Sequence, residues 1–254
     1  MFIDTHCHID DDKLVNKQAV VDNFIRDGVT TVINAGCNIH SSEQGKMLSE
    51  QFESVYFMAG FHPSDARDFD EFAYAKIKEL CAHKKCVAVG EIGLDYYWDK
   101  SYNDIQKQVF VRQIELADKM CLPVSVHSRE ATYDTLTILK ETTPKFGGVM
   151  HCFSGSYETA KILLDLGFYI SFGGTLTFKN ARNLQELAPK LPKDRLLTET
   201  DSPYLAPVPF RGSINEPKNV SLVTAYLSNL LGESVGQTAT TVMENAKRLF
   251  KKLV

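Results

Sequence analysis

Two histidines one residue apart, His6 and His8 in FIDTHCHID, open a sparse series of ionisable residues that recurs down the chain. Glu91 in VGEIG, His127 in SVHS, His151 in VMHC and Asp201 in TETD each stand near the end of a short apolar run. His62 in GFHP does the same, so five of the seven histidines fall at such ends; His40 and His83 read as surface residues of loop or helix. A neutral imidazole is a common ligand for zinc and other borderline metals, and carboxylates complete such sites. Side chains alternate along a strand, so His6 and His8 share one face while Cys7 points to the other. A lone HxH is weak. Four further ligand-type residues at separate strand ends turn the set into a metal centre.

Other chemistries fit less well. There is no GxSxG, and the histidines outnumber what one nucleophile triad uses. Cys7 and Cys152 adjoin proposed ligands, but alternation turns both away from the site and assigns them to core packing. The six cysteines (Cys7, Cys37, Cys81, Cys86, Cys121 and Cys152) include no CxxC pair and read as reduced thiols. The composition is that of an ordinary globular chain of 254 residues, 44% hydrophobic and 24% charged. A net charge of −4 without a basic block argues against a broad surface wrapping duplex nucleic acid, though not against a focal site for a strand end. No apolar run reaches the roughly 18–20 residues of a membrane span, no signal segment is evident, and cytoplasmic location is the default. No obligate protein partner is readable.

The residues must be positioned by the runs that precede them. These are MFIDTH (1–6), TTVINAG (30–36), VYFMAGFH (55–62), CVAVGEIG (86–93), LPVSVHS (122–128), GGVMHCF (147–153), FYISFGG (168–174) and RLLTETD (195–201). Nearly continuous apolar character is expected of parallel strands covered on both faces. Helical patterns lie between most of them: Phe110, Ile114, Ala117 and Cys121 form one stripe, and Val15, Phe24 and Ile25 belong to another ending near Gly28. Eight such alternations predict a single α/β domain over 1–254, a (β/α)8 TIM-type barrel with two C-terminal helices within 217–252. An open doubly wound sheet would place a glycine-rich turn after the first strand, where the chain has THCHIDDDK. Catalytic residues of a barrel sit at the C-terminal ends of different strands, as these do.

The motifs carrying those residues resemble the TatD-like metal-dependent deoxyribonucleases, a branch of the amidohydrolase-type barrels. They are FIDTHCHID (2–10), AGFHP (59–63), VGEIGLDYY (89–97), PVSVHSRE (123–130), GVMHCFSGS (148–156), SFGGTLTFKNA (171–181), LLTETDSPYLAP (196–207) and RGSINEP (211–217). The resemblance implies two divalent ions (zinc, manganese or magnesium). His6, His8 and Asp201 would hold one, His127 and His151 the other, with Glu91 bridging; no modified lysine is needed. It also implies 3′→5′ trimming of DNA from a 3′ terminus. In RGSINEP, Ser213 and Ile214 replace the second basic residue of many relatives, leaving Arg211.

Within that frame, Asp201 is the expected general base for the attacking water. His62 would contact a phosphate oxygen or protonate the leaving oxygen, or simply fix the turn before Pro63. Arg211 would fork onto two phosphate oxygens. Ser202 and Tyr204, and more weakly Asp95 and Tyr96, would line the pocket. A metal-dependent hydrolase of a cyclic amide, ester or lactone would use the same residues, because bound ions polarise carbonyl oxygens as well. A non-catalytic accessory protein would be expected to have lost a ligand, and none is missing.

Overall fold

The computed structural model describes residues 1–254. Its eight strands form one sheet in chain order, each paired in parallel with the next. They are β1 (Phe2–Cys7), β2 (Val29–Ala35), β3 (Val55–Ala59), β4 (Cys86–Asp95), β5 (Val124–Arg129), β6 (Gly148–Met150), β7 (Phe168–Phe172) and β8 (Leu196–Thr198). The connections hold α1 (Lys17–Arg26), α2 (Ile39–Gln51), α3 (Glu71–Cys81), α4 (Asn103–Met120), α5 (Thr132–Glu141), α6 (Tyr157–Asp165) and α7 (Arg182–Leu187), and α8 (Val220–Leu231) and α9 (Val235–Leu249) follow β8. The expected TIM-type barrel and its two C-terminal helices are therefore present. No helix is long and apolar enough to cross a membrane.

The strands read as continuous apolar runs because helices cover one face and the barrel interior the other; all ten residues of β4 are buried. Polar residues start the helices: Asn16, Asp70 and Ser156 accept the first free N–H groups of α1, α3 and α6. Two helical stripes differ from expectation. The Asn16 cap starts α1 after Val15, which is exposed with Ile25, and Val20, Val21 and Phe24 form the buried face. Cys121 is the left-handed C-cap of α4 and is exposed. The third strand also stops early, at Ala59, so His62 lies in the following loop as the cap of a 3-10 helix, Pro63–Asp68.

The last helix closes the far end of the barrel. Asn245 in α9 donates to the carbonyls of Lys193 and Leu196 just before and at the start of β8, and Lys252 beyond it reaches those of Cys81 and His83 ahead of β4. Phe250 and Leu253 join Ile3, Ile33, Val87 and Leu197 in one apolar cluster.

The seam between β8 and β1 is made differently from the other seven junctions, which are backbone ladders. Thr5 Oγ1 donates to the Thr198 carbonyl, and beyond the strands Asp201 N donates to His6 O (2.9 Å) and His8 N to Ser202 O (2.7 Å). The buried carboxylate of Asp4 ties the two sides, accepting from Thr200 N (2.9 Å), Thr200 Oγ1 (2.5 Å) and, less directly, His6 N (3.3 Å). Removing an acceptor with buried donors left behind is far more damaging than losing an exposed bond. Asp4→Ala is expected to lower unfolding stability by about 3 kcal/mol. Urea denaturation followed by circular dichroism checks this; a midpoint equal to that of the unsubstituted protein would mean the seam does not depend on Asp4.

Candidate metal centre

Five strands deliver side chains to one point at the C-terminal mouth. His6 comes from β1 and His8 from the residue after it, Glu91 from within β4, His127 from β5, His151 from just past β6 and Asp201 from past β8. Glu91, 3% exposed, stands in the middle and divides its two oxygens. Oε2 lies 3.2 Å from His6 Nε2 and 3.7 Å from His8 Nε2, and Asp201 Oδ1 lies 3.8 and 3.3 Å from the same two nitrogens. Oε1 lies 2.9 Å from His127 Nδ1 and 2.8 Å from His151 Nε2, which are 3.3 Å apart. Two adjacent groups of donors, His6–His8–Asp201 and His127–His151, thus share one carboxylate.

Each imidazole that turns one nitrogen inward has its other nitrogen beside a fixed polar group. His8 Nδ1 faces the Ala35 carbonyl (3.1 Å), His127 Nε2 faces Asp95 Oδ2 (3.0 Å), and His151 Nδ1 faces Glu199 Oε1 (3.2 Å). His6 Nδ1 has only the longer contact to Ser125 Oγ, 3.5 Å. Such outer contacts choose the tautomer and leave the inward nitrogen as a lone-pair donor. His6 Nε2 is buried without a hydrogen-bond partner, although two carboxylate oxygens are near. Spacings of about 3–4 Å between donor atoms suit ligand distances of about 2.0–2.2 Å around one ion. These residues fit divalent metal.

The charges are strongly coupled. Burial pushes Glu91 up, but His151, His6, His62 and His127 outweigh it and hold the carboxyl well below its ordinary range. Burial likewise opposes ionisation of Asp201, and the hydrogen bond from His8 overcomes it. Among the imidazoles, burial and then His151 lower His6. At His151 burial is outweighed by Glu91 and Glu199, and at His127 by Asp95 and Glu91, so both are raised.

The other residues singled out in the sequence have distinct settings. His62 accepts the Ser64 N–H at Nδ1 (3.1 Å), so Nε2 carries its hydrogen, 3.7 Å from Glu91 Oε1; burial brings its pKa down to about 4. Tyr204 donates to Asp11 and stands 43% exposed with its ring 6.3 Å from that of His8. Arg211 is exposed, makes no ion pair and covers the Phe178 ring at 4.3 Å. Ser202 does not line the mouth as expected: it is fully buried, and its contribution is the carbonyl that accepts from His8 N. Tyr96 is also turned inward, donating to Asp134, whereas Asp95 anchors His127.

Three participants were not anticipated. Glu199 accepts from His151 and from Cys152 N (2.7 Å); its position two residues before Asp201 in TETD was the available signal. Cys37 Sγ lies 3.9 Å from His8 Nδ1 and 4.0 Å from Glu91 Oε2, in a turn with no periodic signal. Cys152 is not in an apolar core, because β6 ends at Met150 and a positive φ of 43° breaks the alternation that placed it there.

A parallel eight-stranded barrel with this array at its strand ends is the architecture of a metal-dependent hydrolase. A family model described as TatD related DNase matches residues 3–251. The chain is 44% identical over 253 residues to the uncharacterized metal-dependent hydrolase YabD of Bacillus subtilis, covering 99% of both. It is 39% identical to the uncharacterized metal-dependent hydrolase YcfH of Escherichia coli K12, covering 98% of this chain and 95% of the relative. The crystal structure of YJJV, a TatD homolog from Escherichia coli K12, superposes with a TM-score of 0.94 at 31% identity over 98% of each chain. The chain belongs to the TatD family of metal-dependent hydrolases.

Two predictions follow from the centre. A histidine whose folded pKa is raised stabilises fully below its unfolded value of about 6.5, and that contribution is lost as pH rises through the folded value. His8, His127 and His151 are of this kind, so the metal-free protein should melt at progressively lower temperature as pH rises above about 6.5. Metal-loaded protein should show the smaller loss or a gain, because binding needs these imidazoles deprotonated. Calorimetry with and without chelator checks the sign; a metal-free melting temperature that rises over this window would contradict it. Glu199→Gln, which weakens the anchor of His151, should lower metal affinity about 10–100-fold with the circular dichroism spectrum unchanged. Titration with a competing fluorescent chelator measures it, and unaltered affinity would remove Glu199 from the centre.

Proposed function

We propose that this protein is a metal-dependent exodeoxyribonuclease that binds two divalent ions and removes nucleotides from the 3′ end of DNA. The observation that carries the reading is the division of Glu91, with one oxygen toward His6 and His8 and the other toward His127 and His151. That arrangement supports two ions side by side, as in enzymes that clamp a phosphoryl group. The description of the matching family, TatD related DNase, supports DNA as the substrate. The 3′→5′ polarity rests on the resemblance of the motifs.

In this reading His6, His8, Glu91 and Asp201 hold one ion, and Glu91, His127 and His151 the second. Bound divalent ions supply Lewis acidity to a phosphoryl oxygen and to water. Asp201 directs Oδ1 at His6 and His8, while its Oδ2 makes no hydrogen bond in the chain and is available to take the proton of the attacking water. The water oxygen bonds to phosphorus, the bond to the 3′ oxygen of the penultimate nucleotide breaks, that oxygen takes a proton from solvent water, and a 5′-mononucleotide leaves. With a pKa of about 4, His62 is neutral at physiological pH, so it serves as a hydrogen-bond donor to a phosphate oxygen through Nε2 and not as the acid for the leaving group. Arg211, unpaired with any carboxylate, meets the phosphate of the strand, and Tyr204 borders the mouth.

The test is a metal-swap digestion. Protein stripped with chelator and reloaded separately with magnesium, manganese or zinc is run against 3′- and 5′-labelled single-stranded DNA. Loss of single nucleotides from the 3′ end is expected, and Asp201→Asn should reduce kcat by at least about 100-fold. Intact DNA under every ion, with turnover of a lactone or cyclic amide, would replace this reading with a carbonyl hydrolase. Metal binding without turnover of either class would leave an accessory protein.

A further inference from the structure

Most large apolar side chains of this protein are buried, yet Tyr97 and Trp98 stand together at the C-terminal mouth, 47% and 73% exposed. Their ring centroids are 4.7 Å apart and the planes meet at 87°, forming a corner. Arg129 at the end of β5 lies over the Tyr97 ring at 3.8 Å and over Trp98 at 5.5 Å. Its guanidinium makes no ion pair, unlike Arg67 and Arg112, which are held by Asp99 and Glu71. A lone exposed aromatic is ordinary; two perpendicular rings with an unpaired guanidinium are a small surface without an occupant.

The position of this surface ties it to the centre. Tyr97 N donates to Asp95 Oδ1 (2.9 Å), and Asp95 Oδ2 is the partner of His127 Nε2. Arg129 follows His127 by two residues on β5, and Asp95 pairs with Arg129 in the sheet register. Arg129 also borders a cavity of about 250 Å³ that runs past Ser128 and Thr135 to His151. The aromatic corner thus adjoins the centre through Asp95, and Arg129 borders both the corner and the cavity.

We propose that Tyr97, Trp98 and Arg129 form the docking step for the single-stranded DNA segment leading into the site, with a base stacked in the ring corner and Arg129 on the adjoining phosphate. This rests on the reading of DNA as substrate. A base laid on one ring meets the second ring along its edge, and every base has a π-face, so the contact selects single strands without selecting sequence. Charge complementarity favours a polyanion, because Arg129 is the uncompensated charge of the cluster. In duplex DNA the bases are stacked on one another and closed to such a surface; the step therefore favours a frayed or single-stranded end.

Trp98 is the only tryptophan of the chain, so intrinsic tryptophan fluorescence reports this surface alone. Metal-loaded protein is titrated with oligothymidylate carrying phosphorothioate linkages, which resist hydrolysis, and with an abasic strand of the same length. Quenching by oligothymidylate and little by the abasic strand is expected. Trp98→Ala should weaken utilisation of single-stranded DNA about ten-fold, chiefly in KM, with Trp98→Phe restoring most of it. Arg129→Ala should flatten the dependence of log affinity on log salt by about 0.7. Equal quenching by the abasic strand would overturn the stacking. Digestion of unmodified DNA without quenching would overturn the docking step and leave the nuclease standing; quenching without digestion would keep the step and remove the nuclease reading.

Discussion

A carboxylate almost without solvent governs the mouth of this barrel. Glu91 is 3% exposed, and the ion pairs within reach of it come from histidines, with no lysine or arginine among them. A buried negative charge needs compensation by charge or by hydrogen bonds. Imidazole can supply either, but the five rings around Glu91 cannot all be protonated together, because each cation disfavours the next. The outcome is uneven: His127 and His151 are pulled upward by nearby carboxylates, while His6 and His62 are held down by burial. Protons are thus a provisional compensation. Divalent ions carry more charge and need the same nitrogens deprotonated, so loading exchanges protons for metal at a site already shaped by electrostatic demand.

The scaffold meets that demand through β4, the longest strand. Glu91 and Asp95 lie four residues apart on it, and one faces the His127 nitrogen that turns inward while the other holds the nitrogen that turns out. Gly93 between them has φ of 139°, and a side-chain carbon there would lie 2.0 Å from the His127 carbonyl, so close approach of β4 to β5 requires glycine at this position. Two buried glutamines of α4 secure the strand ends from outside. Gln106 exchanges both its hydrogen bonds with the backbone of Asp95, and Gln113 does the same with Phe61, beside His62. They are seven residues apart, two helical turns, and so share one face. The helix thereby fixes two loops of the mouth with neutral groups that add no charge to the centre.

This organisation explains what was legible in the sequence. Histidines are few, and a barrel delivers strand ends to one place, so His6, His8, Glu91, His127, His151 and Asp201 could be gathered without coordinates. Alternation separated Cys7 correctly from the histidines beside it; its sulfur donates to Ile33 O in the apolar layer. The same rule failed for Cys152, which lies past its strand, where backbone turns set direction, and Ser202, expected at the mouth because it follows Asp201, is buried. Cys37 and Glu199 were missed for related reasons: one sits in a turn, and the other acts through His151. The true length of β3 was hidden as well, since Gly60 and Phe61 continue the apolar run after the ladder has stopped.

The seam between β1 and β8 links fold and chemistry most closely. It is the one junction where the strands share no backbone ladder, and the bonds that cross it are made by Asp4, Thr5, His6 and His8 on one side and Thr198, Thr200, Asp201 and Ser202 on the other. Each of these bonds has an end within two residues of a proposed ligand. His6 and His8 approach from the β1 side and Asp201 from the β8 side, so an ion held by the three would join the two edges. A full ladder at this junction would hold residues 199–201 extended beside β1, whereas the observed φ of 53° at Asp201 lets the chain turn and bring its carboxylate inward. The barrel therefore gives up regular pairing where the centre needs a side chain aimed across the mouth. Asp4 replaces part of the missing pairing from beneath, and its buried position makes that replacement structural and not part of the exposed chemistry.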